Sequence, residues 1–189
     1  MINKILLSAF YILLSISLNC GYVFAAGPWK GKIIDIETKE PLEDAVVLAV
    51  WQRAYRTLAG ANTYFYEAKE VLTNKEGTFE IPSYTPINLL PIVSYIREPE
   101  FTIFKPGYLS IDIRLDENVT DKAVELPEKG KVFRLSPGII ELPKLKTREE
   151  RIKSLNAVET VIDSSVPEEK FKNTLKMVDI ENRNLGFRK

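Results

Sequence analysis

The side chains that could do chemistry in this chain are almost all oxygen-bearing. The sequence holds no histidine, and its single cysteine, Cys20, lies inside an apolar N-terminal run. This removes histidine-based triads, histidine-ligated zinc or iron, and imidazole acid/base work. Thiol catalysis, cysteine zinc clusters and internal disulfides go with them. The sequence has no Gly-rich phosphate loop and no serine in a nucleophile-elbow setting. We expect neither a metal centre nor a cofactor, and nominate no catalytic residue.

Carboxylates and tyrosines remain. A glycosidase needs only two carboxylates with separated pKa values, and Glu67, Glu70, Glu76 and Glu80 lie close along the chain. The simpler reading is a solvated strand face. Asp116-Glu117-Asn118-Val119-Thr120-Asp121 gathers the hard oxygen ligands that Ca2+ takes. It lacks the loop pattern and central glycine of a helix-loop-helix calcium site, so it reads as a polar turn. Tyr55, Tyr64, Phe65 and Tyr66 surround one long connection, and Tyr84 and Tyr95 bound another. Exposed aromatics suit sugar rings or peptide partners, although aromatics along a strand also serve as core. Tyr55, Tyr64, Tyr66, Tyr84 and Tyr95 are therefore the candidate ligand-binding residues.

Charge narrows the partners. Lys plus Arg total 26 and Asp plus Glu total 26, so no net charge draws the protein to nucleic acid or anionic lipid. The basic run Lys144, Lys146, Arg148, Arg151 and Lys153 is interrupted by Glu149 and Glu150 and reads as a solvated helix face.

Strands must position these groups. Ile33-Ile34-Asp35-Ile36 is a β-branched run before a polar turn, and Ala45 to Trp51 is a short, wholly apolar run that reads as a buried strand. Tyr64–Thr73 and Thr78–Ile81 flank Asn74-Lys75-Glu76-Gly77, where Gly77 is placed for the positive φ of a hairpin turn. Lys105-Pro106-Gly107-Tyr108 reads as a type II turn. After it, Leu109, Ile111, Ile113 and Leu115 alternate with Ser110, Asp112 and Arg114. A last strand is expected at Lys131–Leu135. With about seven short strands and turn chemistry between them, the pattern predicts a β-sandwich. Residues 52–63 and 84–100 interrupt the spacing as long loops, the second carrying Pro86, Pro91 and Pro99. Long loops on a rigid sheet are where binding concentrates.

Past Pro143 the period changes from 2 to 3.6. Thr147 with Glu150 forms a capping box, and Ile152, Leu155, Val158 and Ile162 make one stripe. Asp163-Ser164-Ser165 breaks it. Ser165 with Glu168 offers a second box, and Phe171, Leu175, Val178 and Leu185 continue a stripe toward a C-cap at Gly186. Residues 143–189 are thus expected to be a two-helix tail on a sandwich spanning 26–142.

Residues 1–25 have the form of a signal peptide: Lys4 is the only charge before residue 30, an apolar stretch runs from Ile5 to Leu18, and small residues follow. Val23 and Ala25 fit a cleavage site between Ala25 and Ala26. Two rivals tether the chain instead, lipidation of Cys20 and an uncleaved Ile5–Ala26 anchor. Asn19 before Cys20 departs from the Gly, Ala or Ser of lipoprotein signals.

The strand motifs also carry a resemblance. Gly31-Lys32-Ile33-Ile34-Asp35, Thr38, Pro41-Leu42-Glu43-Asp44-Ala45-Val46-Val47, Thr73-Asn74-Lys75-Glu76-Gly77-Thr78-Phe79 and Lys105-Pro106-Gly107-Tyr108 together resemble the carboxypeptidase regulatory-like domain. The resemblance covers about residues 29–115 and implies a seven-stranded transthyretin-like sandwich, mainly β, with the helical tail outside it. It departs at Asn74, where Asp is commoner, and in its two long loops. It implies a non-catalytic accessory module of exported proteins. The related hydroxyisourate hydrolases and intradiol dioxygenases depend on histidines, which this chain lacks.

The expected function is a non-enzymatic binding or structural module of the bacterial cell envelope, in the periplasm or at the cell surface. It would engage an envelope protein or glycan through the sandwich loops, and no nucleic acid. The alternatives are a carboxylate-dependent carbohydrate-active enzyme and a membrane-tethered assembly factor.

Overall fold

The apolar run at Ala45–Trp51 sets the architecture, because it is buried on both faces. A computed structural model describes residues 27–58, 60–114, 138–162 and 166–187. The described chain is mainly β. Its strands are β1 (Trp29–Asp35), β2 (Val46–Thr57), β3 (Gly60–Leu72), β4 (Thr78–Ile81), β5 (Ser94–Ile96), β6 (Glu100–Phe104), β7 (Ile111–Arg114) and β8 (Gly138–Leu142). Two helices follow, α1 (Arg148–Val161) and α2 (Lys172–Asn184), with a 3-10 turn at Glu168–Lys170 between them. No helix among the described residues is long and apolar enough to cross a membrane. The signal segment with Cys20, Ala25 and Ala26, the Asp116–Asp121 cluster, the Lys131–Leu135 strand and Ser165 lie outside the described residues.

The strands form two sheets. One has the order β4-β1-β8, with β8 parallel to β1; the other has the order β3-β2-β6-β7, with β5 also paired to β2. Between them lies one core. Trp29, Ile33, Phe79, Ile81, Ile140 and Leu142 come from the first sheet, and Val47, Ala49, Trp51, Phe101, Ile103 and Ile111 from the second. Trp29 meets both Trp51 and Phe101 edge-on at 5.6 Å between ring centres, the geometry favoured by aromatic quadrupoles.

The alternate residues of β2 point the other way. Val46 joins Phe104, Leu155, Val158, Met177, Val178 and Leu185, while Leu48 and Val50 join Ala68, Val166 and Phe171. The two helices therefore dock on the outer face of the second sheet. That cover explains why the run at 45–51 shows no polar alternation: in a strand covered on both sides, both sets of side chains are interior. The α1 stripe and the α2 stripe are buried against this chain's own sheet.

Four expectations change. Eight strands are described instead of seven. Residues 52–57 and 60–63, expected in a loop, are the outer half of a long β2–β3 hairpin, with Thr57 facing Gly60. Residues 84–100 contain β5 and lead straight into β6, a stretch whose prolines mask short strands that lean on β2. Gly77 has the expected positive φ of 72°, but its turn is not a hairpin. The turn carries the chain from β3 in one sheet to β4 in the other, closed by Asn74, whose carbonyl accepts from Gly77 N at 2.8 Å. A local turn signal specifies a reversal and says nothing about which strand the next segment joins. The Lys105–Tyr108 turn forms as expected, with Tyr108 N donating to Lys105 O at 3.0 Å.

Candidate functional site

A bulge between Trp51 and Gln52 divides β2 and β3 into two halves. The half toward Val46 and Leu72 is covered by the helices. The other half projects as a hairpin, and on its flank lies the segment from Pro82 to Arg97. β5 pairs there with Arg53, Ala54 and Tyr55, and Arg56 N donates to Val93 O at 2.9 Å. Hairpin and loop thus form one end of the molecule, and all five candidate tyrosines fall on it.

They divide into two kinds. Tyr84 and Tyr66 are half-buried and hold the loop in place. The Tyr84 ring packs edge-on against Trp51 at 5.0 Å, extending the inter-sheet core outward. Lys69 Nζ lies 4.6 Å from its ring centre. Burial pushes the Tyr84 phenol up to about 12, aided by its hydrogen bond with Tyr66 and by the charge of Glu67, so it stays a neutral group in water near neutrality. The Tyr66 hydroxyl donates to Ile87 O at 2.9 Å and accepts from Ile87 N at 3.1 Å. The Arg53 guanidinium lies 4.7 Å from the Tyr66 ring centre. Its Nε is the one buried side-chain polar atom without a hydrogen-bond partner among the described residues.

Tyr64 and Tyr95 are outward-facing, 58% and 41% exposed. Tyr64 packs edge-on with the half-buried Tyr55 at 5.7 Å, and Arg56 lies 5.7 Å from the Tyr95 ring centre. Phe65 turns instead toward the helix-side cluster of Leu48 and Val50. The loop is stiffened from within. Asn88 Nδ2 donates to Ser94 O at 2.7 Å, and the fully buried Ser94 hydroxyl lies 3.0 Å from Asn88 Oδ1 and 2.9 Å from Leu90 O. A surface offered on so braced a loop loses little entropy on binding.

The sequence-nominated carboxylates do not meet. Glu67 pairs with Lys170 at 2.7 Å, Glu80 pairs with Lys30 at 2.9 Å, Glu70 caps α2, and Glu76 is exposed in the sheet-to-sheet turn. Among the described residues no group of three or more carboxylates could hold a metal ion. A shallow cleft of about 690 Å3, lined in part by Lys30, Lys32, Asn74, Phe79 and Gly138, includes none of the five tyrosines.

Sequence reading missed the apolar members of this end. Leu58, at the hairpin tip, and Ile87, Leu89, Leu90, Ile92 and Val93, in the loop, are all exposed. Their signal was present: residues 87–93 are almost wholly apolar, yet proline-flanked and without strand alternation. No match was found among protein-family models, curated proteins or solved structures.

Proposed function

We propose that this chain is a non-enzymatic binding module of the bacterial cell envelope, a transthyretin-like sandwich of the carboxypeptidase regulatory-like type that engages an envelope protein or glycan through its hairpin-and-loop end. The observation that carries the reading is the convergence of five tyrosines from separate segments on one end, braced by buried hydrogen bonds. Two of them, Tyr64 and Tyr95, face solvent with cations beside the cluster. Proteins seldom hold exposed aromatics on a stiffened platform without a partner for them. The family reading rests on the strand motifs and on two sheets sharing one core. Export rests on the form of residues 1–25.

The test is cross-linking in the producing cell. A photoreactive residue in place of Tyr64 or Tyr95 should capture an envelope component, while one in place of the exposed Ile139 should not. Equal capture at all three positions would remove the reading. New reducing ends released from a polysaccharide by the wild type, and lost in Glu67→Gln or Glu80→Gln, would make the protein an enzyme instead.

A further inference from the structure

Ten large apolar or aromatic side chains are exposed among the described residues, and only Ile139 and Phe187 lie away from the hairpin-and-loop end. Six of the other eight are aliphatic, and three of these are the most exposed of all. Leu58 is 112% exposed, Ile92 86% and Leu89 82%. Tyr64 faces Arg53 across the hairpin and Tyr95 faces Ala54, both inward of Leu58 at the tip. The arginines come with the tyrosines. Arg53 and Arg56 stack on tyrosine rings, and Arg97 is anchored where its N–H donates to Gln52 O at 2.9 Å. Residues 51–66 and 81–97 contain these three arginines and no Asp or Glu, with Glu98 next in the chain. The chain is neutral as a whole, yet this end sets three arginines against Glu98, and the flanking Glu67 is paired with Lys170.

We propose that this end seats on an anionic lipid surface. The inference rests on the reading that the hairpin and loop are the binding end, and names what its most exposed residues take. The set of chemistries matches a bilayer surface: aliphatic side chains for the acyl boundary, tyrosines for the interface, arginines for the headgroup phosphates. A protein partner fits less well. Protein hot spots favour Trp, Tyr and Arg in desolvated pockets and use Leu and Val sparingly, whereas here the most exposed side chains are aliphatic. Lipid needs no complementary pocket, because acyl chains close around whatever shape enters. The bracing of Asn88, Ser94 and Tyr66 lets the loop enter without reordering.

A label on the tip tests this independently of the N-terminal segment. In the full chain bearing Cys20→Ser, an environment-sensitive fluorophore is attached through Leu89→Cys, or through Lys176→Cys on the far helix as a control. With phosphatidylcholine vesicles containing phosphatidylglycerol, the Leu89 label should shift to the blue and be quenched by spin-labelled acyl chains, while the Lys176 label does neither. The shift should fall about tenfold in vesicle affinity with Leu58→Asp plus Ile92→Asp. It should fall about fivefold for each of Arg56→Gln and Arg97→Gln, and about twenty-fivefold in phosphatidylcholine alone. These positions are exposed, so folding should be unaffected, and the melting temperature checks it. A Leu89 label unmoved by either vesicle, or a Lys176 label quenched equally, overturns the lipid proposal. If the Leu89 label stays unmoved while Tyr64 still cross-links a protein or glycan, the binding-end reading stands without the lipid; if both are silent, both fall.

Discussion

Gly77 holds φ at 72°, and a Cβ placed there would collide with the Ile33 carbonyl oxygen and lie 3.1 Å from Leu42 N. The close approach is functional for the fold, since Ile33 N donates to Gly77 O at 2.8 Å and ties the sheet-to-sheet turn to β1. Gly77→Val adds left-handed strain to a backbone clash, on the order of 2–3 kcal/mol. The melting temperature should drop by roughly 5–10 °C for a domain of this size, and an unchanged melt would mean the turn relaxes without cost. The positive φ was legible from Asn-Lys-Glu-Gly, but the crowding was not, because Ile33 and Leu42 reach the glycine from distant sequence. Asp35 shows the same limit. Its Oδ1 accepts from Glu37 N at 2.7 Å and Thr38 N at 3.0 Å, and its Oδ2 accepts from the Tyr108 hydroxyl at 3.0 Å. Burial alone would raise this carboxyl, but the Thr38 and Glu37 N–H groups and the Tyr108 hydroxyl outweigh it and hold it below its ordinary value. Tyr108 is pushed the other way, to about 12, by burial and by Asp35. A depressed carboxyl stabilises the fold at pH values above its unfolded pKa of about 4, and that stability drains away as pH falls through the lower folded value. Asp35→Asn should therefore flatten part of the acid limb of a melting-temperature profile; identical acid limbs in variant and wild type would refute this role.

Helix ends show which capping devices a sequence can reveal. The α1 cap is local: the Thr147 hydroxyl accepts from Glu150 N at 3.2 Å, and Glu150 Oε2 accepts from Thr147 N at 3.1 Å. Its spacing was readable for that reason. The start of α2 is different. Its first turn is not capped by Phe171, the residue before it. Glu70 of β3 reaches across instead, its Oε1 accepting from Asn173 N at 2.6 Å and its Oε2 from Thr174 N at 2.9 Å. A carboxylate at a helix N-terminus meets both orphan N–H groups and the positive end of the dipole. The glutamate that looked like a candidate acid is thus a joint between sheet and helix, and no motif announces a cap some hundred residues away. The opposite end follows local rules again, with Gly186 at φ 77° and Phe187 N donating to Asn182 O at 2.9 Å. Glu70→Ala should cost about 1–2 kcal/mol, and Glu70→Gln, which keeps one acceptor, less. Chemical denaturation with far-UV circular dichroism measures both, and equal stability of Glu70→Ala and wild type would show that water replaces the cap.

At the scale of the whole molecule the helices and the hairpin end divide the second sheet between them. One half of β2 and β3 is roofed by α1 and α2, and the other half runs on beyond the roof to carry tyrosines, arginines and aliphatics. The stripes at Ile152–Ile162 and Phe171–Leu185 were legible as faces in need of cover. What covered them was not, because an apolar stripe states an amount of surface and not its partner. The same averaging hid the cationic end inside a neutral composition. The two helices are fastened to each other by Arg151 and Glu181, paired in bidentate fashion at 2.7 Å with Glu181 only 1% exposed, and to the β6–β7 hairpin through Ser154, whose hydroxyl accepts from Ser110 N at 2.8 Å. Removing everything after Pro143 would bare Val46, Leu48 and Phe104, all at most 1% exposed. At about 1.5–3 kcal/mol for each buried side chain of this kind, the loss approaches the whole stability of an ordinary domain, about 5–15 kcal/mol. The truncated chain should therefore aggregate or melt far below the intact protein, and restoring residues 144–189 as a separate chain should not rescue it, since isolated helices of this length are marginal in water. Size-exclusion chromatography and thermal melts of both forms decide it. A soluble, monomeric truncation with an unchanged melt would mean that the outer face of the sheet stands without its roof, and that the helices serve something other than this fold.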